Sequence, residues 1–440
     1  MRRYSKYQNT DNWFGIIPAT WEIHRIKRLF ALRDKRNFLP LEQVNLISLY
    51  SNVGVRQHCD IEHTTGNRAR NADGYKVVHK DDIIVNILLC WMGAIGRSNY
   101  DGVTSPAYDV YMPRTNINSQ YYHYLFRTKA FSGECYKVGK GIMAMRWRTY
   151  SPQFMNINVP EPPRAEQDQI VRFLDWKVSE INKLTGIRKK QIKQLEEIKE
   201  KQIENALSHF SCKADVQPLK AIAYCNRESL SESTAENYSF RYIDIGSVDE
   251  KEGITHYEEM KFKNAPSRAR RIVHKNDIII STVRTYLKAI ARITDDKDVI
   301  VSTGFAVLSP HGVDSKYLEY YFKSKRFCDE VIRESIGIAY PAIDTSKLMR
   351  IKILVPRYEE QLAITAQVHK NEILINQTIS LLKRKIKQLQ ELKSTLISDV
   401  VTGKIDVRNI PVPAYEHVED MGDDAGEGNE ENAGIPGEED

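Results

Sequence analysis

The sequence lacks the short motifs that mark most enzymes acting on nucleic acids. The glycine-rich stretch 133–141 has the wrong spacing for a P-loop and ends without the required hydroxyl residue, so ATP binding is not expected. No G-x-G-x-x-G segment opens a helix after a strand, and no Asn/Asp-Pro-Pro-aromatic tetrapeptide is present to hold a target amine. The chain is therefore not expected to methylate DNA alone, and we predict no catalytic residues, no metal site and no cofactor of its own.

Paired cysteines and long apolar runs are also missing. The six cysteines contain no C-x-x-C pair, which argues against a zinc ribbon and a dense disulfide framework and favours reduced thiols. The longest apolar run, Ile83–Ile95, is too short to span a bilayer, and the basic start of the chain is not followed by the apolar stretch of a signal peptide. We expect a cytoplasmic protein without a membrane partner.

Charge is distributed unevenly along the chain. The 440 residues, enough for two or more domains, carry 64 Lys and Arg against 58 Asp and Glu, but residues 416–440 hold 11 acids and no Lys or Arg. Residues 1–415 therefore have 47 acids and a formal net charge of +17. Such a basic body suits a polyanion such as DNA, because phosphates attract it whatever the base sequence.

The chain contains an internal duplication. Residues 157–203 align with residues 351–397 without a gap, and 15 of the 47 positions are identical. Outside these charged segments, Val-His-Lys-x-Asp-Ile-Ile occurs at 78–84 and again at 273–279. Two matches at nearly one offset indicate the order globular segment, helix, globular segment, helix. We interpret the repeated His-Lys pairs as a turn before an edge strand, because no nucleophile or partner carboxylate repeats with them.

Each duplicated helix is predicted to carry an apolar stripe that must pack against another element. After a proline at its start, no further proline interrupts either copy for over 40 residues, so each helix is roughly 60 Å long. Apolar residues at steps of three and four predict a coiled-coil seam. The predicted seam consists of Ile181, Leu184, Ile192, Leu195, Ile198, Ile375, Ile379, Leu382, Ile386, Leu389, Leu392 and Leu396.

The predicted fold class is α+β. Two globular α/β segments are separated by two long helices, which form an antiparallel coiled coil if a pseudo-twofold axis relates the halves. Two similar globular segments at a fixed separation suit two DNA half-sites. The alternative is a coiled coil that serves only as an oligomerisation strut.

The candidate DNA-contacting residues are basic, amide and tyrosine side chains in loop-like segments, because these types reach base edges and phosphates. The prediction rests on the clusters rather than on any single residue. Within them, Arg97, Arg146 and Arg284 are our candidates for base contacts. In the first globular segment the candidates are Arg68, Arg70, Asn71, Arg97, Asn99, Tyr100, Lys140, Arg146 and Arg148. In the second they are Lys261, Lys263, Arg268, Arg270, Arg271, Lys275, Arg284, Tyr286 and Lys288.

The arrangement resembles the specificity subunits of type I restriction-modification systems over nearly the whole chain. Ile17, Pro18, Trp21 and Glu22 look like the family's Ile-Pro-x-x-Trp opening. Both helices start with Pro-x-x-x-Glu-Gln, at 162–167 and 356–361, and the stretch Val-Thr-Gly-Lys-Ile-Asp at 401–406 looks like the family's closure of its second conserved helix. The order and spacing of these pieces are more specific than any one of them.

The resemblance implies a DNA-recognition subunit with two target recognition domains, each reading half of a split, asymmetric sequence. Its paired helices would act as a ruler and dock two adenine methyltransferase (M) subunits, which restriction translocase-endonuclease (R) subunits then join. S-adenosylmethionine, ATP and magnesium would belong to those partners. The implied domains are 1–155 and 213–350 for recognition, 156–212 and 351–408 for the helical spacers, and 409–440 for an acidic tail.

The acidic tail departs from the family's usual end. Its composition predicts a disordered, solvating segment, with self-inhibition by DNA mimicry as an alternative. For the whole chain, two other classes remain open: a coiled-coil adaptor that does not read DNA, and a DNA-modifying enzyme with a diverged site.

Overall fold

A computed structural model describes residues 3–51, 53–58, 71–114, 116–141, 147–209, 214–337 and 340–419. The chain forms two compact units. Unit 1 consists of residues 1–189 and 383–440, and unit 2 consists of residues 190–382. Each long helix contributes residues to both units.

Among the described residues of the first half, twelve strands and four short helices build the globular part of unit 1, and the first long helix follows. In chain order the elements are β1 Tyr7–Gln8, β2 Ile17–Pro18, β3 Glu22–Arg25, α1 Ile26–Leu29, β4 Phe30–Leu32, β5 Ile47–Tyr50, β6 Gly54–Gln57, β7 Lys76–Val78, β8 Ile83–Asn86, β9 Ile95–Arg97, β10 Gly102–Thr104, β11 Tyr108–Pro113, α2 Ser119–Phe126, α3 Lys129–Val138, α4 Ser151–Phe154, β12 Asn158–Glu161 and α5 Arg164–His209.

The second half repeats this plan in unit 2 and ends in the second long helix. Its elements are β13 Asp215–Pro218, β14 Ala223–Cys225, β15 Ser239–Ile243, β16 Val248–Asp249, β17 Gly253–Ile254, β18 Glu258–Lys261, β19 Ala269–Ile272, β20 Ile278–Ser281, β21 Ile290–Arg292, β22 Val299–Ser302, β23 Phe305–Pro310, α6 Ser315–Lys323, α7 Lys325–Glu334, α8 Thr345–Leu348, β24 Lys352–Val355 and α9 Tyr358–Val401.

Both units share one frame. It contains a four-stranded antiparallel sheet, in the order β4-β11-β8-β9 in unit 1 and β14-β23-β20-β21 in unit 2. In each unit a pair of helices follows the sheet, and a two-stranded ladder joins the segment before the long helix to an earlier strand, β12 to β3 and β24 to β13. Each four-stranded sheet is covered on both faces: one face packs with the helices in a large core, and the other face packs in a second, smaller core. The predicted α+β class and the duplication are confirmed.

The two units differ in what is added to the frame. Unit 2 carries a second four-stranded sheet, β18-β15-β22-β19, in which β15 and β22 are parallel. The corresponding part of unit 1 contains the pairs β5–β6 and β10–β7 among its described residues. This sheet of unit 2 has a small core of its own, formed around Phe240 and Tyr242.

The repeated His-Lys pairs lie in a tight turn, as predicted. The carboxylate of Asp82 accepts the backbone N–H of His79, and Asp277 does the same for His274, each at 2.8 Å. The following strands, β8 and β20, are interior strands with a neighbour on both sides, so the prediction of an edge strand is wrong. Interior placement explains why the Ile-Ile runs are buried on both faces.

The long helices pair in antiparallel fashion within each unit. In unit 1, Ile181 near the middle of α5 shares a core with Leu396 near the end of α9. In unit 2, Ile203 near the end of α5 shares a core with Val368 near the start of α9. Low numbers in one helix thus meet high numbers in the other, as the predicted coiled coil requires.

The burial pattern corrects the seam at three positions. In α9 the shielded side chains follow steps of three and four through 375, 379, 382, 386, 389, 393 and 396, so Lys393 takes the position predicted for Leu392. In α5 the same steps pass through Thr185 and Lys199 instead of Leu184 and Ile198. Leu184, Ile198 and Leu392 are 45%, 45% and 55% exposed, because each lies one residue before the seam.

The acidic tail is ordered further than predicted. Residues 404–419, which we call the C-terminal strap, lie against unit 1, where Gln169 donates to the backbone carbonyls of Val407 and Ile410 at 3.1 and 2.8 Å. The prediction of disorder from residue 409 is therefore wrong up to Glu419, because composition does not reveal backbone carbonyls that a neighbouring helix can bind. Residues 420–440 lie outside the described residues.

Candidate nucleic-acid interface

Each unit presents the same pair of loops at one end of its frame. In unit 1 the loop 87–94 between β8 and β9 meets residues 139–141 and 147–149, and the N–H of Thr149 donates to the carbonyl of Ile87 at 2.9 Å. In unit 2 the loop 282–289 meets residues 335–337 and 340–343, and the N–H of Ile343 donates to the carbonyl of Thr282, also at 2.9 Å. We call each pair a two-loop surface.

The two-loop surface of unit 1 combines cations with stacked aromatic rings. Lys140 and Arg148 are exposed and face each other across an isolated antiparallel bridge. Beside them the ring of Trp147 stacks on Tyr136 with centroids 4.9 Å apart, and its indole N–H donates to the Tyr136 carbonyl. Gly139 permits this packing, since a Cβ there would lie 2.4 Å from the indole nitrogen. Cations beside aromatic rings are suited to phosphates and bases.

The two-loop surface of unit 2 has the same chemistry on a different sequence. The guanidinium of Arg284 lies 5.1 Å from the ring centroid of Tyr340, which is 67% exposed. Tyr286 is 51% exposed on the same loop. Arg284 and Lys288 have φ angles of 51° and 47°, which only their surroundings can hold in non-glycine residues. Three predicted residues, Arg284, Tyr286 and Lys288, therefore lie on one loop.

Lys288 is held by an acid on the same unit. Its ammonium lies 2.7 Å from the carboxylate of Glu250, and the hydrogen bond to this carboxylate raises the pKa of Lys288 above its usual value. A phosphate bound here would have to compete with Glu250, so Lys288 is a weaker candidate than Arg284.

Arg97 is a frame residue and not an available base reader, contrary to the prediction. Its guanidinium lies 2.5 Å from the carboxylate of Asp81 and also donates to Asn99, and only 18% of its side chain is exposed. The duplicate confirms this role, because Arg292 at the corresponding place in β21 donates to Asn276, which like Asp81 has a φ of 75°. Both arginines fasten the turn before the interior strand.

A neutral histidine supports the backbone at Arg97. Burial, with the nearby Arg127 and Arg97 guanidinium groups, lowers the pKa of His123 well below its usual range. Its Nδ1 is therefore available to accept the backbone N–H of Arg97 at 3.1 Å. This contact belongs to the packing of α2 on the sheet and leaves the ring unavailable for DNA.

The basic cluster of unit 2 lies on β18 and β19 and in the segments that follow these two strands, and it is partly neutralised. Arg268 pairs with Asp244 at 2.8 Å, and Arg270 lies 4.9 Å from the ring centroid of Phe262. Arg271 is half-buried and has a buried Nε with no hydrogen-bond partner in the structure. Lys261, Lys263 and Lys275 are exposed, so the three lysines fit phosphate contact better than the three arginines do.

The remaining candidates of unit 1 are dispersed. Asn71 is exposed and its side chain accepts the backbone N–H of Asp73, whereas Tyr100 is half-buried against the sheet. Asn99 is exposed beside Arg97. The other three predicted residues, Arg68, Arg70 and Arg146, lie outside the described residues.

The helix pair carries an exposed apolar row in each unit. In unit 1 the row contains Leu184, Ile187 and Leu392, and in unit 2 it contains Ile198, Leu374 and Leu381, all between 40% and 56% exposed. These residues lie at the positions that border the seam. In an antiparallel pair such positions of both helices face the same side, so each unit offers one apolar strip of its two helices.

Matching polar contacts cross the seam of each unit. In unit 1, Lys393 donates to the side-chain oxygen of Asn182 at 2.9 Å. In unit 2, Lys199 donates to Asn376 at 3.3 Å and pairs with Glu372 at 2.9 Å. Lys199 corresponds to Lys393, and Asn182 to Asn376, in the duplication. A polar residue at a seam position is a common device for fixing the register of paired helices.

The Glu-Gln motif at the helix starts is structural. Gln167 is buried, donates to the carbonyl of Pro162 at 2.8 Å and accepts the backbone N–H of Asn118 at 2.8 Å. Gln361 makes the same two contacts, with Pro356 and Asp314. Each glutamine therefore ties the first turn of a long helix to the start of α2 or α6.

The Ile-Pro-x-x-Trp opening and the Val-Thr-Gly-Lys closure meet in unit 1. Glu166 accepts hydrogen bonds from Tyr4 at 2.5 Å and from the Trp21 indole at 3.1 Å. Gly403 has a φ of 74°, and a Cβ there would lie 2.3 Å from Pro18. These family-typical residues thus fasten the two ends of the chain to one frame, and none of them belongs to a two-loop surface.

One group of described residues has metal-ligand spacing. The ligand atoms of Glu22, His24 and Glu161 lie within 4.8 Å of one another across the β3–β12 pair. His24 already lies 2.8 Å from Glu22 and 3.2 Å from Glu161. We interpret the group as a cross-strand ion pair, since nothing else beside it points to a bound ion.

Sequence reasoning missed several residues of the candidate interface. Tyr136 and Tyr340 are exposed and Trp147 is half-buried. Trp147 is the immediate neighbour of the predicted Arg148, whereas Tyr340 lies 56 residues from Arg284, so only the folded chain brings these two together. The sequence contained evidence against the predicted base contact of Arg97. Arg97 and Arg292 occur at the repeat offset of 195, together with the His-Lys turn, and a residue retained in both copies belongs to the shared frame.

The chain is similar in sequence to known proteins. Residues 218–391 match the family described as the type I restriction modification DNA specificity domain. The chain is 24% identical to the type I restriction enzyme MjaVIII specificity subunit of Methanocaldococcus jannaschii over 445 residues, which covers 93% of this chain and 98% of that protein.

A solved structure with a TM-score above 0.5 shares the fold. A chain from a structure concerning complex assembly and conformational transition of the type I R-M system matches with a TM-score of 0.65 and 14% identity, covering 88% of this chain and 99% of that one. The HsdS subunit from Thermoanaerobacter tengcongensis matches with a TM-score of 0.48 and 16% identity over 88% of this chain and 98% of that one.

Among the described residues, no helix combines the length and apolar character needed to cross a bilayer. The specificity domain spans the globular part of unit 2 and much of α9, while the curated relative aligns with nearly all of both units. Over these extents the chain is similar to the specificity subunits of type I restriction-modification systems.

Proposed function

We propose that this chain recognises a split, asymmetric DNA sequence, with one half-site bound by each unit. The observation that supports this most strongly is the repeated two-loop surface, in which the same frame carries different cations and aromatic side chains. One frame used twice explains two half-sites, and different loop residues explain their asymmetry. Arg284 beside Tyr340 has the donors to contact a guanine edge, and Lys140 and Arg148 have those to contact phosphates or bases.

We further propose that the helix pair docks two adenine methyltransferase subunits. Each unit offers one apolar strip of three residues, and a partner helix with an apolar face would cover it as a helix covers a groove. Two strips match two methyltransferases. Restriction translocase subunits would join through them, and S-adenosylmethionine, ATP and magnesium would be bound by these partners in the cytoplasm.

The chain itself would be non-catalytic in this assembly. Base contacts and phosphate contacts require positioned donors, and they need neither a nucleophile nor a metal. The enzyme alternative expects the purified chain to bind S-adenosylmethionine or to cut DNA with magnesium. The adaptor alternative expects no salt-sensitive DNA affinity from the chain or from its methyltransferase complex.

An exchange of recognition residues tests the proposal. Residues 219–346 would be replaced by the equivalent segment of a related subunit whose methylation site is known, and the methylated sites of host cells would be mapped by sequencing. We expect one half-site to change to that of the donor while the other half-site stays. The matched control exchanges the corresponding segment of unit 1, residues 26–150, and should change the other half-site.

Two outcomes would contradict the proposal. If both half-sites changed in either exchange, the units would not read DNA separately. If both exchanged proteins assembled with their methyltransferase and methylated the original sequence, the two-loop surfaces would not determine specificity.

A further inference from the structure

The two-loop surface of unit 2 exposes apolar side chains as well as cations. On the loop 282–289, Leu287 is 41% exposed beside the exposed Tyr286. On the facing segment, Ile336 is 70% exposed and Tyr340 is 67% exposed. Single exposed apolar residues are common on soluble proteins, but a group of them on one surface marks a site that contacts another molecule.

Backbone pairing places Ile336 close to the arginine of this surface. Ile336 and Ala342 exchange two backbone hydrogen bonds, at 2.8 and 2.9 Å. A second bridge joins Ala342 to Val283, the residue before Arg284. Paired backbones lie about 5 Å apart, so Ile336 lies about 10 Å from the loop that carries Arg284. Successive bases of one DNA strand are about 3.4 Å apart, so both side chains can reach one half-site of a few base pairs.

An exposed apolar side chain recurs at the matching place in unit 1. The short helical turn Cys90–Met92 in the first unit corresponds to the turn Thr285–Leu287 in the second, at the repeat offset of 195. Its last residue, Met92, is 56% exposed, as Leu287 is 41% exposed. The first residue of each turn is buried and packs in the frame. Packing does not explain why the exposed last residue is apolar in both copies, so we expect it to contact the ligand of each unit.

The chemistry of base edges limits what an apolar side chain can contact on DNA. In the major groove the base edges present hydrogen-bond donors and acceptors, and their one apolar group is the C5-methyl group of thymine. Among the described residues no carboxylate forms an ion pair with Arg284, so its guanidinium can still attract DNA beside Ile336. A thymine-containing duplex therefore offers a partner to both kinds of side chain on this surface.

We propose that Ile336 and Leu287 contact C5-methyl groups of thymine in the half-site bound by unit 2, and that Met92 does so in the half-site bound by unit 1. This rests on the proposed function, because it needs each unit to bind one half-site. The methyl contact distinguishes thymine from cytosine at positions that the hydrogen bonds of Arg284 do not reach. Burial of one methyl group changes affinity about fourfold.

Deoxyuridine tests the proposal, because it pairs like thymidine and lacks only the C5-methyl group. Methylome sequencing would give the half-sites, and the segment exchange described above would assign each to its unit. Each thymine of a fluorescent duplex would then be replaced singly, and binding to the full chain in complex with its methyltransferase would be measured by anisotropy. We expect at least one replacement in each half-site to weaken binding about fourfold. The factor should be equal at low and high salt, because a methyl contact releases no counterions.

Alanine variants identify the side chains that make the contact. In the double variant Leu287→Ala/Ile336→Ala, thymine and deoxyuridine duplexes should bind equally in the half-site of unit 2, while the methyl effect in the other half-site stays. Met92→Ala should give the converse result. The matched control is Val216→Ala, which removes a 61%-exposed side chain from β13 and should keep both methyl effects. Comparison of the two duplexes across the variants isolates the contact from any change in DNA stiffness.

The outcomes separate this inference from the proposed function. If no thymine of the unit 2 half-site showed a methyl effect, or if the effect persisted in the double variant, the inference would be overturned. Loss of the methyltransferase from the double variant with an unchanged methyl effect would also overturn it, since the apolar side chains would then contact a partner protein. If no form preferred the specific duplex to a random one at any salt concentration, the proposed function would fail first.

Discussion

The frames of the two units resemble each other, whereas the surfaces added to the frames differ between the units. The frames of units 1 and 2 share strand order, the His-Lys turn, the buried glutamine and the Lys-Asn contact across the helix pair. Among the described residues the added parts differ, since unit 2 has a four-stranded mixed sheet where unit 1 has the two-stranded pairs β5–β6 and β10–β7. Residues that hold the fold together were kept in both copies, while residues that face outward were free to diverge.

Charge shows the same contrast. The second globular segment, residues 212–350, carries 22 basic and 20 acidic side chains, so its arginines find carboxylates nearby, as Arg268 finds Asp244. The first segment has ten more basic than acidic side chains and is covered in part by the acidic strap. The two units are therefore expected to bind DNA with different salt dependence.

The largest expected effect comes from lengthening the frame. Seven residues inserted after Lys190 in α5 and after Leu382 in α9 would keep the steps of three and four and would leave both Lys-Asn contacts intact. Each helix would grow by about 10 Å, which is about three base pairs of DNA. We expect methylome sequencing to show the same half-sites with a gap about three base pairs longer.

A four-residue insertion at the same two places is the control. It moves the apolar positions out of phase with the seam, so it should lower stability instead of giving a new gap. A folded, active seven-residue variant that still methylates the original gap would show that the helices are a docking strut and do not measure DNA.

The second effect separates a surface arginine from a frame arginine. Arg284→Ala should lower affinity for the specific site by about 1–3 kcal/mol and relax one base position, if the guanidinium contacts a base edge. Its melting temperature should stay close to that of the wild type. Arg97→Ala should instead lower the stability of unit 1 by about 1 kcal/mol, because the ion pair with the half-exposed Asp81 and the hydrogen bond to Asn99 are lost.

Thermal unfolding and binding to a panel of single-base variants would decide between these two roles. Arg292→Ala is the matched control in unit 2 and should resemble Arg97→Ala. A stable Arg97→Ala protein with relaxed specificity at one base position would show that Arg97 contacts DNA.

A third, smaller effect concerns the exposed lysines of the basic cluster of unit 2. Replacing Lys261, Lys263 and Lys275 singly by alanine should lower the slope of log affinity against log salt by about 1 unit for each one that contacts a phosphate. Specific and random duplexes should lose affinity alike, because phosphates carry no sequence information. An unchanged slope in the triple variant would show that these three lysines do not contact phosphates.

The smallest effect is a pH dependence at the helix pair. Burial would raise the pKa of Glu372, but hydrogen bonds from Lys199 and Tyr320 outweigh it and hold the pKa below its usual value. A lowered pKa in the folded state means that the contribution to stability is present above about pH 4.5 and is lost as the pH falls further. Glu372→Gln should cost at most about 1 kcal/mol at pH 7 after solvent screening.

Melting temperatures of the wild type and the Glu372→Gln variant between pH 3 and 7 test this sign. The difference should shrink towards pH 3. A difference that grew as the pH fell would show that Glu372 is protonated in the folded protein.

Much of the frame was predictable, because it repeats. The offset of 194 to 195 residues located both long helices, and the steps of three and four located nine of the twelve predicted seam residues. Leu392 was predicted in the seam because it is apolar and its neighbour Lys393 is charged. The spacing of the shielded residues along the whole helix instead places Lys393 in the seam. A one-residue error in phase moves a side chain by about 100° around a helix, and apolar character alone does not correct it.

The candidate interface was less predictable. Charge and residue type suggested clusters, but they did not distinguish Arg284, which stays exposed beside Tyr340, from Arg97, which pairs with Asp81. Both are arginines next to a turn. The partners that decide their roles come from residues up to 56 positions away in the chain, and only folding brings them together.

By itself, the sequence determined the duplication, the pairing of the long helices and the resemblance to type I specificity subunits, because these depend on periodic or repeated patterns that survive without a structure. The tertiary structure decided which cations remain exposed, that the Glu-Gln and Ile-Pro-x-x-Trp motifs are structural joints, and that residues 404–419 form a strap along α5. The physical reason is the range of the interactions. Helix phase and capping are local, whereas neutralisation of a charge depends on which distant carboxylate or carbonyl packs within 3 Å of it.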